Sequence, residues 1–443
     1  MDETTATYWP HGPHQPSEPL RWGADLRLDD RWAVGRLDLS DPAADLLEVA
    51  STIYATDRLV PRGPWRRRGY GSDWRRAMRV RIPVRDISAW HGARRHLAAM
   101  LSWLTDDDWT LEFAAGQGPL TRLQRPLLPV PLSDVEVLLF SGGLDSTAGL
   151  ARDLSAATRD VVAVSVYTNS RMQALQQEIV GVLNRTAARR ALPVKYQVSL
   201  GLDDREDTQR SRGFLFLAAG VASAWALGRD RLRVHENGIG AINLPYLHSQ
   251  VGSQATRAVH PRTVTMMEQL ACRLSGHPFT IQTPQLAMTK AELVRACAPV
   301  ADGALSRSLS CDYGFATRIP GTRPCGACTS CLLRRQALHA AGRSDLDRDV
   351  NYRTSDLLGP HRDGLSAMLW QLGRLRRCLS QPDAWGRLVA EFPQVVCAWP
   401  QLAPESLTRL YRTYVDEWED LPPLFGITQS AYVPPPRQEG EGL

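Results

Sequence analysis

Residues 135–147, VEVLLFSGGLDST, carry an apolar run straight into a glycine pair and then into residues that start helices. This junction restricts the fold more than any other stretch. Val135, Val137, Leu138, Leu139 and Phe140 read as a parallel strand buried on both faces. Gly142 and Gly143 have no Cβ, so the backbone can turn sharply and come close to a ligand. Asp145, Ser146 and Thr147 suit a helix start, and the free N–H groups of a helix N-terminus bind phosphate. The arrangement is not a Walker loop, which requires G-x-x-x-x-G-K-[ST] and its lysine. An ordinary Gly-Gly strand-to-helix turn is the competing reading.

Strand and helix alternate beyond this point. Residues 160–168 predict a strand, 171–190 a helix, 194–199 a strand, 214–227 a long apolar helix and 232–236 a further strand. Such alternation predicts an α/β fold: a parallel sheet with helices on both faces and ligands at the carboxyl ends of the strands. Ser141 to Thr147 and Tyr167-Thr168 both lie at such ends. Arg212, in preference to Arg210, precedes the apolar helix and is placed to reach phosphate bidentately, unless it is simply a solvated surface arginine.

The 443 residues suit two to three domains. A net charge of +5 is too mild to imply nucleic acid by itself. Lysine occurs only at Lys195 and Lys290 among the 52 basic residues, so each lysine merits inspection. No apolar run is long enough to cross a bilayer and the first thirty residues lack a signal-peptide core, so the expectation is a cytoplasmic protein without membrane association. In a reducing compartment Cys311, Cys325, Cys328 and Cys331, the last three in PCGACTSC, argue for a structural four-thiolate Zn²⁺ site. An iron–sulfur cluster and a redox pair are the alternatives.

SGGLDST resembles the SGGxDS signature of the N-type ATP pyrophosphatases, which cleave ATP between the α- and β-phosphates. The resemblance implies an adenine-nucleotide α-hydrolase-like, Rossmann-like core. It makes Ser141, Gly142, Gly143, Leu144, Asp145, Ser146 and Thr147 an ATP and pyrophosphate loop, with Asp145 helping to place Mg²⁺ and Tyr167 and Thr168 flanking adenosine. Further on, Thr283-Pro284, Thr289-Lys290 and Glu292, then the four cysteines and Leu332 to Arg334, follow the order of the 7-cyano-7-deazaguanine synthases, the QueC family, over roughly residues 134 to 342. Asp145, Lys290 and Arg212 are then the candidate catalytic residues, and a compact ammonium at Lys290 suits charge on the α-phosphate. Glu236, Asn237 and Asn243 offer the donors and acceptors that a 7-deazaguanine-type acid requires, although Asx and Gly residues also build ordinary loops.

The chain departs from the biosynthetic enzyme in SQATRAVHPRT, where Arg257 and His260 become candidate substrate contacts. In this it is similar to the QueC-like QatC component of Qat anti-phage systems. That similarity implies a defence ligase passing the activated acid to ammonia or to an amine on a macromolecule. Biosynthesis of the free nitrile, tRNA modification and a non-catalytic nucleotide-binding scaffold are the alternatives.

Residues 1–130 hold more than half of the thirteen tryptophans and predict an α+β domain for partner or substrate docking, with strands at 79–84 and 109–114 and a helix at 87–104. Within it, Trp65 to Tyr70 and Trp74-Arg75-Arg76 interleave aromatic and basic side chains, which suits nucleic acid, an acidic protein partner or a solvated loop. Residues 116–133 read as a linker, 134–342 as the ATP pyrophosphatase domain, 343–433 as a helical region with helices at 361–379 and 404–420, and 434–443 as a disordered tail. A helix at 334–341 follows the cysteines.

Overall fold

Strand and helix alternate through most of the first 300 residues of the computed structural model, which describes residues 5–9, 16–29, 37–61, 75–116, 118–119, 134–156, 159–167, 170–203, 205–206, 210–246, 256–297, 299–312, 324–347, 350, 352–354 and 363–419. Contacts group the chain into two compact units. One holds Met1–Glu236, Thr256–Pro284 and Pro299–Ser308, and the other Asn237–Ala255, Gln285–Ala298 and Leu309–Leu443.

The first unit opens with β1 (Ala6–Tyr8), β2 (Glu18–Leu20), β3 (Leu26–Asp29), α1 (Asp41–Leu59), β4 (Ala77–Val84), α2 (Ile87–Thr105) and β5 (Asp108–Ala115). Strands β2, β1, β4 and β5 lie side by side in that order, with β4 and β5 parallel and the other pairs antiparallel. The three elements expected between residues 79 and 114 are present. Helix α1 was not legible, because every side chain from Ala43 to Leu59 is buried and no polar stripe marks the helical period. Ser40-Asp41-Pro42 opens it, with proline in the first turn where no donor is needed. Its charges are paired: Arg85 Nη1 meets Asp45 Oδ1 at 2.5 Å and Glu48 Oε2 at 2.7 Å.

The same unit continues with β6 (Val135–Leu139), α3 (Leu144–Ala156), β7 (Asp160–Tyr167), α4 (Ser170–Thr186), β8 (Ala191–Leu200), α5 (Arg212–Ala226) and β9 (Arg231–Val234). After α6 (Gly238–Ile242), which belongs to the second unit, come α7 (Pro261–Ser275) and β10 (Thr280–Gln282). The sheet runs β10-β9-β6-β7-β8-β3, parallel throughout except that β3 pairs antiparallel with β8, from Leu26 opposite Leu200 to Asp29 opposite Gln197. Helix α4 ends at Thr186, short of the expected residue 190, and Asn184 exchanges two hydrogen bonds with the backbone of Ala191 to start β8. Steps β6 to β7 to β8 go one way and β8 to β9 goes back, so right-handed crossovers put α3 and α4 on one face and α5 on the other. Helix α5 is apolar nearly all round because it lies between the sheet and α1: Tyr196 Oη bonds Ser223 Oγ at 3.0 Å, and Gly220 packs against Leu139 and Leu232.

A buried polar network joins these pieces. Arg76 Nη2 bonds Asp57 and, at 2.6 Å, Asp107 Oδ2, while Nη1 donates to the carbonyls of Asp57 at 2.8 Å and Val60 at 2.6 Å. Asp57 Oδ2 in turn accepts from the Ser211 amide at 3.2 Å and hydroxyl at 2.6 Å, just ahead of α5. Burial alone would lower the Arg76 pKa, but the two carboxylates hold it above its ordinary value. Arg76 is therefore not part of a basic surface; Arg75 is exposed, and Trp65 to Tyr70 and Trp74 lie outside the described residues. So do the 434–443 tail and all of the 116–133 segment except 116, 118 and 119.

The second unit contains α6, α8 (Lys290–Arg295) and, after α9 (Asp302–Leu305) of the first unit, α10 (Thr329–Ala340), α11 (Asp363–Leu379), α12 (Ala384–Glu391) and α13 (Pro404–Asp416). It is helical throughout among the described residues. Helix α10 packs on α8, α11 packs on α10, α12 and α13, and α13 reaches α6. On α13, Leu407, Leu410, Tyr411, Tyr414 and Val415 bury one face at helical spacing. No described helix is long and apolar enough to cross a membrane.

Replacing Arg76 by Met leaves Asp57 and Asp107 buried without their cation, which should cost about 3–5 kcal/mol. A urea titration reads this as a lower midpoint at unchanged slope; a midpoint equal to wild type would refute the assigned role.

Candidate functional site

Strand β6 ends where the sheet order reverses, with β7 and β8 to one side and β9 and β10 to the other. In open α/β sheets this switch point, at the carboxyl ends of the strands, is where ligands bind. Phe140 is pinned there by its amide to the Val164 carbonyl at 2.7 Å and by Ser165 Oγ to its own carbonyl at 2.8 Å. The chain then turns through Gly142 at φ +83°, a left-handed conformation that glycine adopts without strain. The turn ties itself together: the Gly143 amide donates to Ser141 Oγ at 3.2 Å, Ser141 Oγ and Ser146 Oγ are 3.0 Å apart, and Ser146 Oγ donates to the Gly143 carbonyl at 3.1 Å. Helix α3 begins at Leu144, with Asp145, Ser146 and Thr147 buried in its first turn.

Two polar atoms beside the loop have no partner among the described residues: Thr147 Oγ1 and Gln176 Oε1. Gln176 is 2% exposed on α4, and its Nε2 donates to the Ser141 carbonyl at 3.1 Å. Sequence reasoning missed it, since a glutamine inside MQALQQEIV carries no local signal. A buried acceptor and hydroxyl without protein partners are groups that a polar ligand or water would satisfy.

Tyr167, 5% exposed, ends β7 and Glu236 follows β9, so both lie at the carboxyl edge; Thr168 lies outside the described residues. Arg212 is the first residue of α5, which starts at the same edge, with its guanidinium 4.8 Å from the Phe216 ring centre. Burial lowers its pKa, Tyr54 opposes that effect and the neighbouring Arg58 charge adds to it. Just below Glu236, His235 Nε2 meets Asp153 Oδ2 of α3 at 3.0 Å, and Gly149 makes the room, since a Cβ there would fall 2.1 Å from the His235 ring. Burial pushes the Asp153 carboxyl up, but the bond from His235 and the charges of His235 and Arg233 bring it below its ordinary value. Thr283 and Pro284 line a cavity of about 640 Å³ with Glu136, Asp153, Arg159 and Arg233.

Arg257 and His260, expected as substrate contacts, are committed elsewhere. Arg257 lies 4.4 Å above the Trp103 ring of α2 and donates to Asp106 Oδ1 at 2.9 Å. His260 accepts the Arg262 amide at 3.1 Å as the cap of α7 and meets Trp103 edge-on at 5.2 Å. Trp103 Nε1 donates to Thr263 Oγ1 at 2.9 Å, and Arg262 stands 4.5 Å from the ring. Burial, with the charges of Arg257 and Arg262, pushes the His260 pKa down to about 3. Arg257, His260, Arg262 and Thr263 thus grip the end of helix α2.

In the second unit Asn237 caps α6 by accepting the Gly240 amide at 3.1 Å, and Asn243 ends it at φ +48°, a left-handed position that asparagine tolerates. The Asn237 side chain therefore has structural work, and Asn243 serves α6 through its backbone. Gly238 lets α6 approach the segment before Lys290: its amide donates to the Met288 carbonyl at 2.9 Å, and a Cβ would lie 2.2 Å from the Leu286 carbonyl. Lys290, 6% exposed, is the first residue of α8, whose capping box is complete: Thr289 Oγ1 accepts the Glu292 amide at 3.1 Å and Glu292 Oε2 accepts the Thr289 amide at 2.8 Å. Unit two thus gathers Asn237, Asn243 and Lys290, and unit one gathers the Ser141 loop, Tyr167, Glu236 and Arg212.

Cys311, Cys325, Cys328 and Cys331 place their sulfurs within 4.8 Å of one another. Cys325 Sγ and Cys331 Sγ are 3.8 Å apart, and a tetrahedral Zn–S bond of ~2.3 Å requires an edge of ~3.8 Å, so the cluster fits zinc. Backbone amides of Cys325, Cys328 and Cys331 point at Cys311, Cys325 and Cys328 sulfurs at 3.3, 3.2 and 3.5 Å, an arrangement that favours thiolates. Gly326, at φ +87°, turns beneath the Thr354 carbonyl where a Cβ would lie at 2.4 Å.

Residues 258–342 match the family model described as Queuosine biosynthesis protein QueC. The chain is 27% identical over 227 residues to the 7-cyano-7-deazaguanine synthase of Erythrobacter litoralis, covering 47% of this chain and 89% of that protein. To the synthases of Acinetobacter baylyi and Myxococcus xanthus it is 27% and 26% identical over 234 and 241 residues, covering 48% of this chain and 94% and 96% of those proteins. Over this span the chain is QueC-like. The similarity supports a QueC-like, ATP-using enzyme of the ligase type, and the four cysteines are a site that could hold its zinc.

Changing Cys328 to Ser should release zinc, read by elemental analysis, together with a fall in the thermal midpoint. Full metal content in that variant would rule out the four-cysteine centre. Asp153, whose folded pKa is depressed, stabilises the fold above its unfolded value of 3.8 and loses that contribution as pH falls through the lower folded value. The stability gap between wild type and Asp153→Asn in urea should accordingly be widest at neutral pH and close below about pH 4; a gap independent of pH would exclude this ion pair.

Proposed function

We propose that the protein adenylates the carboxylate of a 7-carboxy-7-deazaguanine-type acid and transfers the acyl group to an amine. The observation that carries this reading is the Ser141 to Thr147 turn, which aims the amide end of α3 into the switch point of a parallel sheet. A carboxylate oxygen of the acid attacks the α-phosphorus of ATP, the bond to the β-phosphate oxygen breaks, and pyrophosphate leaves into the loop. The amine then attacks the acyl carbon, loses a proton, and AMP departs with the bonding pair. No protein nucleophile is needed. Positioning and charge stabilisation carry the rate, from the backbone amides and the Ser141 and Ser146 hydroxyls of the loop, with Arg212 a further phosphate contact.

The resemblance assigns Lys290 to the charge that develops at phosphorus. It also gives Mg²⁺ to Asp145, and a buried carboxylate in the first turn of α3, joined by phosphate oxygens, is the oxygen donor set that this ion takes. Bound Mg²⁺ would neutralise charge on the phosphates. Glu236, at the end of β9, is the substrate contact we retain with most reason, because Asn237 and Asn243 serve as caps.

The acceptor separates two finer readings. In the one we favour, the chain is a QatC-like defence ligase that modifies a partner macromolecule. What supports it is that Arg257, His260 and Arg262 are engaged by Trp103 and Asp106 of an N-terminal segment that precedes the resemblance over residues 134 to 342. In the other, ammonia is the amine and a second ATP dehydrates the amide to the nitrile.

Pyrophosphate release from ATP should depend on added 7-carboxy-7-deazaguanine, and Asp145→Ala should slow it by about 100-fold or more. Release that stays at background with every acid and amine supplied would refute the ligase reading. Mass spectrometry of the product with ammonia alone distinguishes amide from nitrile.

A further inference from the structure

Lys290 sits on a helix of only six residues, too short to hold its own orientation, and the C-terminal helix α13 supplies what the short helix lacks. Glu417, at the end of α13, accepts the Thr289 hydroxyl on Oε1 at 2.7 Å, and the same oxygen meets Arg295 Nη2 at 3.1 Å, so one carboxylate grips both ends of α8. Thr289 Oγ1 is thereby fully used, donating to Glu417 and accepting the Glu292 amide. On the outer side Arg409, also from α13, donates through Nη1 to Glu292 Oε1 at 2.6 Å and through Nη2 to the Ala287 carbonyl. Glu417 has 6% side-chain exposure and Gln336 of α10 donates toward it, so this is a built-in polar centre rather than a surface pair. Helix α13 lies outside residues 258–342, which match the family model.

We propose that Glu417 is a positioning residue for Lys290, and that α13 acts by fixing the Thr289–Lys290 helix start. The proposal rests on the reading of Lys290 as the phosphate contact. A helix start released from Glu417 would let the ammonium drift, and a displacement on the order of 1 Å is enough to cost about 100-fold in rate. Binding of the acid would be little affected.

The test is a double-mutant cycle on the full chain with zinc retained, reading kcat and KM for acid-dependent pyrophosphate release beside the thermal midpoint. Glu417→Ala should lower kcat about 10-fold with KM for the acid within about twofold. Glu417→Gln, whose amide oxygen still accepts from Thr289, should recover most of the loss. In a Lys290→Ala background, Glu417→Ala should cost nothing further, because its effect passes through the lysine. A loss that persists undiminished in that background, or wild-type kcat in Glu417→Ala, overturns the positioning role. Lys290→Ala with wild-type turnover is a separate failure, of the lysine reading itself. Should Glu417→Ala not fold, Arg409→Ala keeps the buried carboxylate and carries the same cycle, with a loss of about threefold expected and an unchanged kcat overturning the proposal.

Discussion

Arg76, with Asp57 and Asp107 around it, is the interaction on which the first unit depends. Its guanidinium is 5% exposed and both carboxylates are fully buried, so each carboxylate would be severely unstable without the guanidinium they share. What makes the cluster central is where its members come from: α1, the segment before β4, the start of β5 and, through Asp57 and Ser211, the start of α5. Helix α5 covers β6, β7 and β9, and β6 is the strand that ends at the Gly142 turn. Geometry at the carboxyl edge of the sheet is thereby coupled to a segment that precedes β6 in sequence. Hydrophobic contact between α1 and α5 supplies adhesion without direction, whereas a guanidinium directing five hydrogen bonds from its three nitrogens fixes the register.

Terminal caps do comparable work in the second unit. Helices α6 and α8 have five and six residues, and neither would persist alone. Asn237 and Asn243 close the ends of α6, Thr289 and Glu292 close the start of α8, and Gln371 holds the following loop by its amide to the Leu244 carbonyl at 2.8 Å and the Pro245 carbonyl at 3.1 Å. The chemistry assigned to this region rests on short helices whose ends are satisfied from helices α11 and α13. The zinc-type cluster uses the same device, with Cys328 capping α10 through the Cys331 amide.

Much of the fold was legible. VEVLLFSGGLDST gave β6, the turn and α3 because an apolar run, two glycines and a helix start are all local signals. Four cysteines at metal-ligand spacing identified their own cluster for the same reason. Helix α1 was invisible because burial on every side removes the polar stripe, and β3 was invisible because four residues, LRLD, acquire meaning only by pairing with β8. Arg76 is buried between two carboxylates, and Arg257 and His260 pack on Trp103. A basic or aromatic residue that looks solvent-facing or ligand-facing in a sequence becomes structural once a buried carboxylate or an indole faces it.

Sequence alone determined the α/β class, the glycine turn after β6 and the cysteine cluster, since each depends on residues close together along the chain. Tertiary structure decided which charged side chains are spent on packing. It committed Arg257 and His260 to Trp103, placed Gln176 under the Ser141 loop, and brought Glu417 to the helix of Lys290. The physical reason is that a polar side chain's role is set by what desolvates and pairs it. For Arg257 that partner lies 151 residues away, and for Thr289 it lies 128 residues away.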